Sequence, residues 1–180
     1  MIGLARSFLP WIAFPMILDN FHASKSAAAL VCTAIALAAN FNDLSKGFVI
    51  PWASLCFFAG LALGYWLSPE AEVLHYSSAL FALLLFVICV LSIAGRKPLT
   101  IQYARQDTPE EFWNTRAFFE INRHLTMTLS AMFACIALFS VGAVMLSAFE
   151  PLFRIGSYTV ILISALLCAR YPAYYLARLE

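Results

Sequence analysis

Polar and apolar residues fall in long blocks along this chain. Apolar runs cover residues 24–41, 48–67, 73–94, 125–149 and 152–176, and a shorter one, 4–18, contains Pro10 and Pro15. A hydrocarbon core of about 30 Å takes about 20 helical residues. The five long runs therefore predict membrane-crossing helices, and the sixth predicts a helix broken by its prolines. Punctuation agrees: Pro51 opens the third segment, Ser68 and Pro69 close it, Gly95 and Pro98 end the fourth, and Glu150 and Pro151 separate the last two. The first segment follows Arg6 as a signal peptide would, but no small-x-small cleavage site comes after it, so it reads as retained. With no repeat or long linker, the expectation is an all-α polytopic bundle of six membrane segments in one domain, residues 1–180.

Composition strengthens that reading. A soluble domain is about half apolar and about a quarter charged; this chain is 63% apolar and 12% charged, with a mean hydropathy of +0.84. Six crossings put Arg6, Lys46, Arg96, Lys97, Arg105, Arg116, Arg123, Arg170 and Arg178 on one side and only Lys25 and Arg154 on the other. Basic residues mark the cytoplasmic side. Both termini and the long loop, about 96–123, are therefore expected there, with membrane lipids as partners of the basic loop.

Within that loop, Thr108, Pro109, Glu110 and Glu111 have the form of a capping box, which predicts one amphipathic cytoplasmic helix from Pro109 to about Phe119. Continued at 100° per residue, its face carries Trp113, Arg116, Glu120, Arg123 and Met127, then Ser130, Ala131 and Ala134. A charged stripe running into small residues is expected to point into the bundle. Glu120 would then bridge Arg116 and Arg123, with Asp43 within reach, since unpaired charge in a low dielectric is costly.

Motifs with chemistry are sparse. Cys32, Cys56, Cys89, Cys135 and Cys168 fall one per later segment, and His22, His75 and His124 are scattered, so no metal set converges. There is no P-loop, GxSxG, GxGxxG or paired acidic motif, and a net charge of +1 does not point to nucleic acid. No catalytic, cofactor-binding or metal residue is assigned, and no cofactor is implied. Gly60 and Gly64 form a GxxxG, and Ala28, Cys32, Ala36 and Asn40 a small-residue stripe. Both suit packing within the chain, and a homodimer through Gly60 and Gly64 is open. Polar residues gather at one expected depth: Asn40, Asn42 and Asp43 close the second segment, Glu120, Asn122, Arg123 and His124 open the fifth, and Arg170 lies in the last. The candidate polar cluster is Asn40, Asp43, Arg116, Glu120, Asn122, Arg123 and His124, set against a plain interfacial role in which charges snorkel.

The order of features also carries a resemblance. Phe8, Leu9 and Pro10 with Phe14 and Pro15, then Thr33 and Ala34, then Trp52, Ala53, Ser54 and Leu55 with Phe58 and Gly60, come first. Gly95, Arg96, Lys97, Pro98 and Leu99 follow, then Pro109, Phe112, Trp113 and Asn122 ahead of an apolar helix. Over residues 6–146 this resembles the bacterial intracellular septation protein A family. The resemblance implies a bacterial inner-membrane protein linked to division and envelope synthesis, acting through other membrane proteins, with no catalytic residues to carry over. The chain departs from the pattern at Leu125–Met132, where the family's aromatic-rich helix here has no Trp, and in the final segment 152–176. A neighbouring membrane family therefore stays open. The expected function is that of a non-enzymatic accessory or scaffold protein of the inner membrane; the alternative is a small transporter or channel with a cytoplasm-facing polar pocket, for which the proline break in segment 4–18 is the pointer.

Overall fold

Apolar runs without an alternating period leave the helix as the structure that satisfies their backbone internally. The computed structural model describes residues 2–21 and 24–178, so His22 lies outside the described residues, which contain helices and short 3-10 turns and no strand. The order is α1 (Ile2–Ser7), α2 (Leu9–Phe21), α3 (Lys25–Ala39), α4 (Phe41–Ser45), α5 (Val49–Leu67), α6 (Ser77–Ala94), α7 (Ile101–Asp107), α8 (Arg116–Met145) and α9 (Glu150–Leu176). Four stretches are long and apolar enough to cross a membrane: Val49–Leu67, Glu72–Ala94, Arg116–Met145 and Ser147–Leu176. α3 has 15 residues and at 1.5 Å per residue runs about 22 Å, short of the roughly 30 Å core. The chain forms two compact units, Met1–Ser77 and Ser78–Glu180.

In the first unit, α3 packs on α5 and α2. Ala28, Cys32, Ala36 and Asn40 are all fully buried, so the small-residue stripe is a packing face within the unit. Its core joins Ala29 and Cys32 to Phe58, Leu61, Ala62 and Tyr65, with Trp11 and Phe14 of α2 against them. The first segment is broken at Phe8, not at its prolines. Pro10 falls in the first turn of α2, where its missing N–H has no helical acceptor to lose. α4 ends in a Schellman turn: Phe48 N–H bonds the Asp43 carbonyl at 2.9 Å and Gly47 N–H the Leu44 carbonyl at 3.0 Å. Gly47 takes φ +74°, the left-handed conformation this turn requires.

In the second unit, α8 and α9 form an antiparallel pair. Phe153 lies over Gly142, where an added Cβ would come within 2.8 Å of its ring, and Phe139 over Gly156, where one would come within 3.0 Å. α6 also ends in a Schellman turn, from Lys97 N–H to the Ser92 carbonyl at 2.9 Å and from Arg96 N–H to the Ile93 carbonyl at 3.0 Å. Here the left-handed position belongs to Arg96, at φ 55°, and not to the adjacent Gly95. For a residue with a Cβ that conformation costs about 1–2 kcal/mol.

The long loop differs from expectation. Pro109 is extended at ψ 146°, residues Glu110–Phe112 make only a 3-10 turn, and Thr108 makes no side-chain cap. The Thr108 carbonyl instead accepts the Trp113 indole N–H at 2.9 Å, and the Arg105 guanidinium stacks 5.0 Å from the Trp113 ring. The helix starts at Arg116, capped by Thr115, whose hydroxyl oxygen accepts Phe118 N–H at 3.2 Å. The amphipathic helix expected from Pro109 is thus corrected to one that opens at Arg116.

Candidate functional site

Buried polar side chains in the first unit meet where α1, the α3–α4 joint and the start of α5 come together. Asn40 is that joint: its carbonyl accepts the N–H groups of Asp43 at 3.0 Å and Leu44 at 2.8 Å, and its side-chain amide donates to the Ala36 carbonyl at 3.2 Å. The bend delivers the Asp43 carboxylate, 2% exposed, to the Arg6 guanidinium at 2.8 Å, while Arg6 itself is 39% exposed. One turn into α5, fully buried Ser54 accepts the Trp11 indole N–H at 3.1 Å. The Trp52 indole N–H donates to the Leu44 carbonyl at 3.0 Å and ties α5 back to α4. The Arg6 Nε and Asn40 Oδ1 atoms are buried without a hydrogen-bond partner among the described residues. A buried ion pair flanked by an unmatched donor and an unmatched acceptor can hold a small polar group, and it also fastens α1 to the unit.

The second unit has its own buried polar cluster. The Thr100 hydroxyl donates to the Asn122 carbonyl at 2.9 Å, as does the Thr126 hydroxyl at 2.9 Å. Thr100 N–H donates to Thr126 Oγ1 at 3.3 Å. The Asn122 amide donates to the Phe118 carbonyl at 2.8 Å, leaving Asn122 Oδ1 buried and unpartnered among the described residues. These bonds pin the turn after α6 to the second turn of α8. Ser92 completes the anchor, accepting Leu99 N–H at 3.2 Å.

The expected cluster is therefore divided. Asn40 and Asp43 are buried in the first unit, and Asn122 is buried in the second. Arg116, Arg123 and His124 are exposed and Glu120 is half-buried. Glu120 does not bridge two arginines: among the described residues it lies 3.6 Å from Arg123 alone, and the Arg116 side chain has no ion pair or hydrogen bond there. Asp43 is held by Arg6. The expected inward orientation of the charged stripe is likewise corrected, because α8 buries Phe118, Asn122, Leu125, Thr126, Leu129, Ser130, Met132 and Phe133. Large apolar side chains on that face outweigh the small residues Ala131 and Ala134 on the other. His124 bonds the Glu120 carbonyl through Nδ1 at 2.9 Å and stacks on Tyr171 with centroids 5.1 Å apart. At Gly60 an added Cβ would meet nothing within 4 Å, whereas at Gly64 it would come within 3.2 Å of Leu74.

Sequence reasoning missed Arg6, Ser54, Thr100 and Thr126 as members of these clusters. An available signal was the arginine just ahead of a broken apolar segment, which needs a partner once it enters a packed unit. The described residues contain no group of three or more side chains fit to hold a metal. No family model, no curated protein and no solved structure matches this chain.

Proposed function

We propose that the chain is a multi-pass protein of the bacterial inner membrane with six segments and both termini cytoplasmic. We further propose that it acts as a non-enzymatic accessory or scaffold protein for other membrane proteins of envelope building or division. The observation that carries this is the packing round the broken first segment. The Trp11 ring lies 4.3 Å from Phe58 and 5.0 Å from Phe57, and Phe14 lies 5.6 Å from Phe58. The proline-containing stretch that a substrate path would need open is instead continuous helix packed by aromatic side chains, as suits a rigid helix-presenting body. α9 supports the same reading, since beyond the face packed on α8 its apolar side chains, Leu152, Ile155, Leu162 and Leu166 among them, are exposed and open to lipid or a partner helix. Gly60, with open space above it, suits a second chain on α5.

The test is affinity purification after crosslinking in native membranes, with proteoliposome flux as its counterpart. A membrane protein recovered in constant ratio, and lost when bulky residues replace Gly60 or Leu162, supports the scaffold. A chain that crosslinks to nothing sinks it. The second reading, a small transporter, draws on the buried Asp43–Arg6 pair beside the unpartnered Asn40 oxygen. Solute flux abolished by Asp43→Asn would favour it. Topology is checked by single-cysteine labelling in intact cells on a Cys-free background: position 72 should label from outside and position 105 should stay protected.

A further inference from the structure

Asp43 is 2% exposed, and the Arg6 guanidinium that donates to it at 2.8 Å is 39% exposed, so Arg6 links a buried carboxylate to the surface. Asn40 belongs to the same turn: its carbonyl accepts Asp43 N–H at 3.0 Å, and its side chain is fully buried with Oδ1 unpartnered among the described residues. The joint thus offers two acceptors, a carboxylate and an amide oxygen. Arg6 matches the first and leaves the second unmatched. Its own Nε is buried without a partner, although a guanidinium on a carboxylate frequently makes two parallel bonds. An unmatched acceptor on the joint and an unmatched donor on its occupant mark Arg6 as a poor fit, at a cost that a purely structural clamp could avoid. Arg6 is also placed to leave. It belongs to α1, and the Phe8 carbonyl closes the first turn of α2 by accepting Trp11 N–H at 3.0 Å and Ile12 N–H at 3.3 Å. Trp11 is held separately by Ser54 at 3.1 Å and by the Phe58 ring. α1 can therefore swing about Phe8 while α2 stays in place.

We propose that Asp43 and Asn40 form a binding site for a small organic cation with two or more N–H donors, a primary ammonium or a guanidinium, and that Arg6 occupies it as a built-in ligand which the cation displaces. The occupant must be a cation because an uncharged one would leave the buried carboxylate unpaired. It must carry several N–H groups because the second acceptor is a neutral amide oxygen, which recognises a donor rather than a charge. The site lies within the first unit and is independent of the scaffold role.

The experiment uses the purified full chain in a neutral detergent, with ethylguanidinium chloride as the probe and tetramethylammonium chloride and sodium chloride at equal ionic strength as controls. Arg6→Ala removes the built-in ligand. Ethylguanidinium should raise the thermal midpoint of that variant in a saturable way, and the controls should not. Adding Asp43→Asn should abolish the rise. Adding Asn40→Ala should instead weaken the apparent affinity about tenfold, the effect of one hydrogen bond to a charged group. The wild-type chain supplies a measurement that depends on no variant folding. At ten times its dissociation constant for the displaced state, a cation raises the population of that state about tenfold. Amide hydrogen exchange over α1 should accelerate by about that factor, while exchange over α5 stays unchanged. An Arg6→Ala midpoint that ignores ethylguanidinium, a rise matched by tetramethylammonium or kept with Asp43→Asn, or an affinity unchanged by Asn40→Ala would each overturn the proposal. So would wild-type exchange over α1 that the probe leaves as it was, since Arg6 would then be a fixed clamp.

Discussion

Replacing Arg6 by Met keeps most of the side-chain stem and removes the charge opposite Asp43. The carboxylate left behind is 2% exposed and sits at the α3–α4 joint, where it cannot turn to water without unwinding α4. Breaking a fully buried pair costs about 3–5 kcal/mol. Arg6 is 39% exposed, so water already screens part of the pair and about 2–3 kcal/mol is the expected loss. For chains of this size the midpoint falls about 2–4 °C per kcal/mol. Arg6→Met should therefore lower the detergent midpoint by about 4–12 °C, and Asp43→Asn by less, since a neutral amide tolerates burial better. The double variant should recover part of the loss, giving a coupling energy of about 1–2 kcal/mol in the cycle. Glu150→Gln supplies the comparison: its pair with Arg154 is exposed on both sides and is worth at most about 0.5 kcal/mol. If Arg6→Met shifts the midpoint no more than Glu150→Gln does, the pair is not the fastening of α1 described above.

Thr115→Ala removes the α8 cap and should cost about 1 kcal/mol by thermal melting, whereas Thr108→Ala, at the motif that resembled a cap, should cost little. Thr100→Val deletes the hydroxyl that anchors the 96–107 segment; proteolysis between α6 and α8 should accelerate, with about 1 kcal/mol lost, while a cleavage pattern like wild type would refute the anchor. Gly142→Ala places a methyl within 2.8 Å of the Phe153 ring; it should cost about 1–3 kcal/mol and be partly rescued by Phe153→Leu. Glu120→Ala should change stability by no more than about 0.5 kcal/mol, because its one ion-pair partner among the described residues, Arg123, is half-exposed at 3.6 Å.

The apolar runs at 48–67, 73–94, 125–149 and 152–176 were legible because about twenty apolar residues in a row leave the backbone little alternative to a helix. The α8 start was not. Thr108 and Thr115 both offer a cap, and the choice fell to a distant contact: the Trp113 indole takes the Thr108 carbonyl, and Arg105 holds the ring. On α8, helical spacing grouped Arg116, Glu120 and Arg123 correctly, but the small residues that follow them pointed to the wrong face as the inner one. That is decided by bulk, and Phe118, Leu125, Leu129 and Phe133 bring more of it than the alanines opposite. Partners were least legible. Spacing shows which side chains share a face, but Arg6 reaches Asp43 over 37 positions and Thr100 reaches Asn122 over 22, and no local rule connects them.

Those two long-range contacts solve one physical problem. Backbone that leaves the helix near a membrane must find its hydrogen bonds inside the protein. In the first unit the chain leaves the helix at Phe8 and at Asn40, and in the second between α6 and α7. Each unit answers with an asparagine that donates its amide one turn back, to Ala36 or to Phe118, and with a polar side chain three or four residues on, Asp43 or Thr126, that receives the wandering segment. Both asparagines leave one buried amide oxygen without a partner. An unmatched acceptor of this kind costs about 1–3 kcal/mol, which a purely structural joint could avoid with alanine. Asn40→Ala and Asn122→Ala therefore distinguish two uses. If the amide oxygens are idle, each variant loses only the single backbone bond of the amide, about 1 kcal/mol, and the proposed scaffold still captures its partner. If they serve a bound polar group, stability is kept or rises while partner capture or solute flux is lost, and the site moves from joint to binding centre.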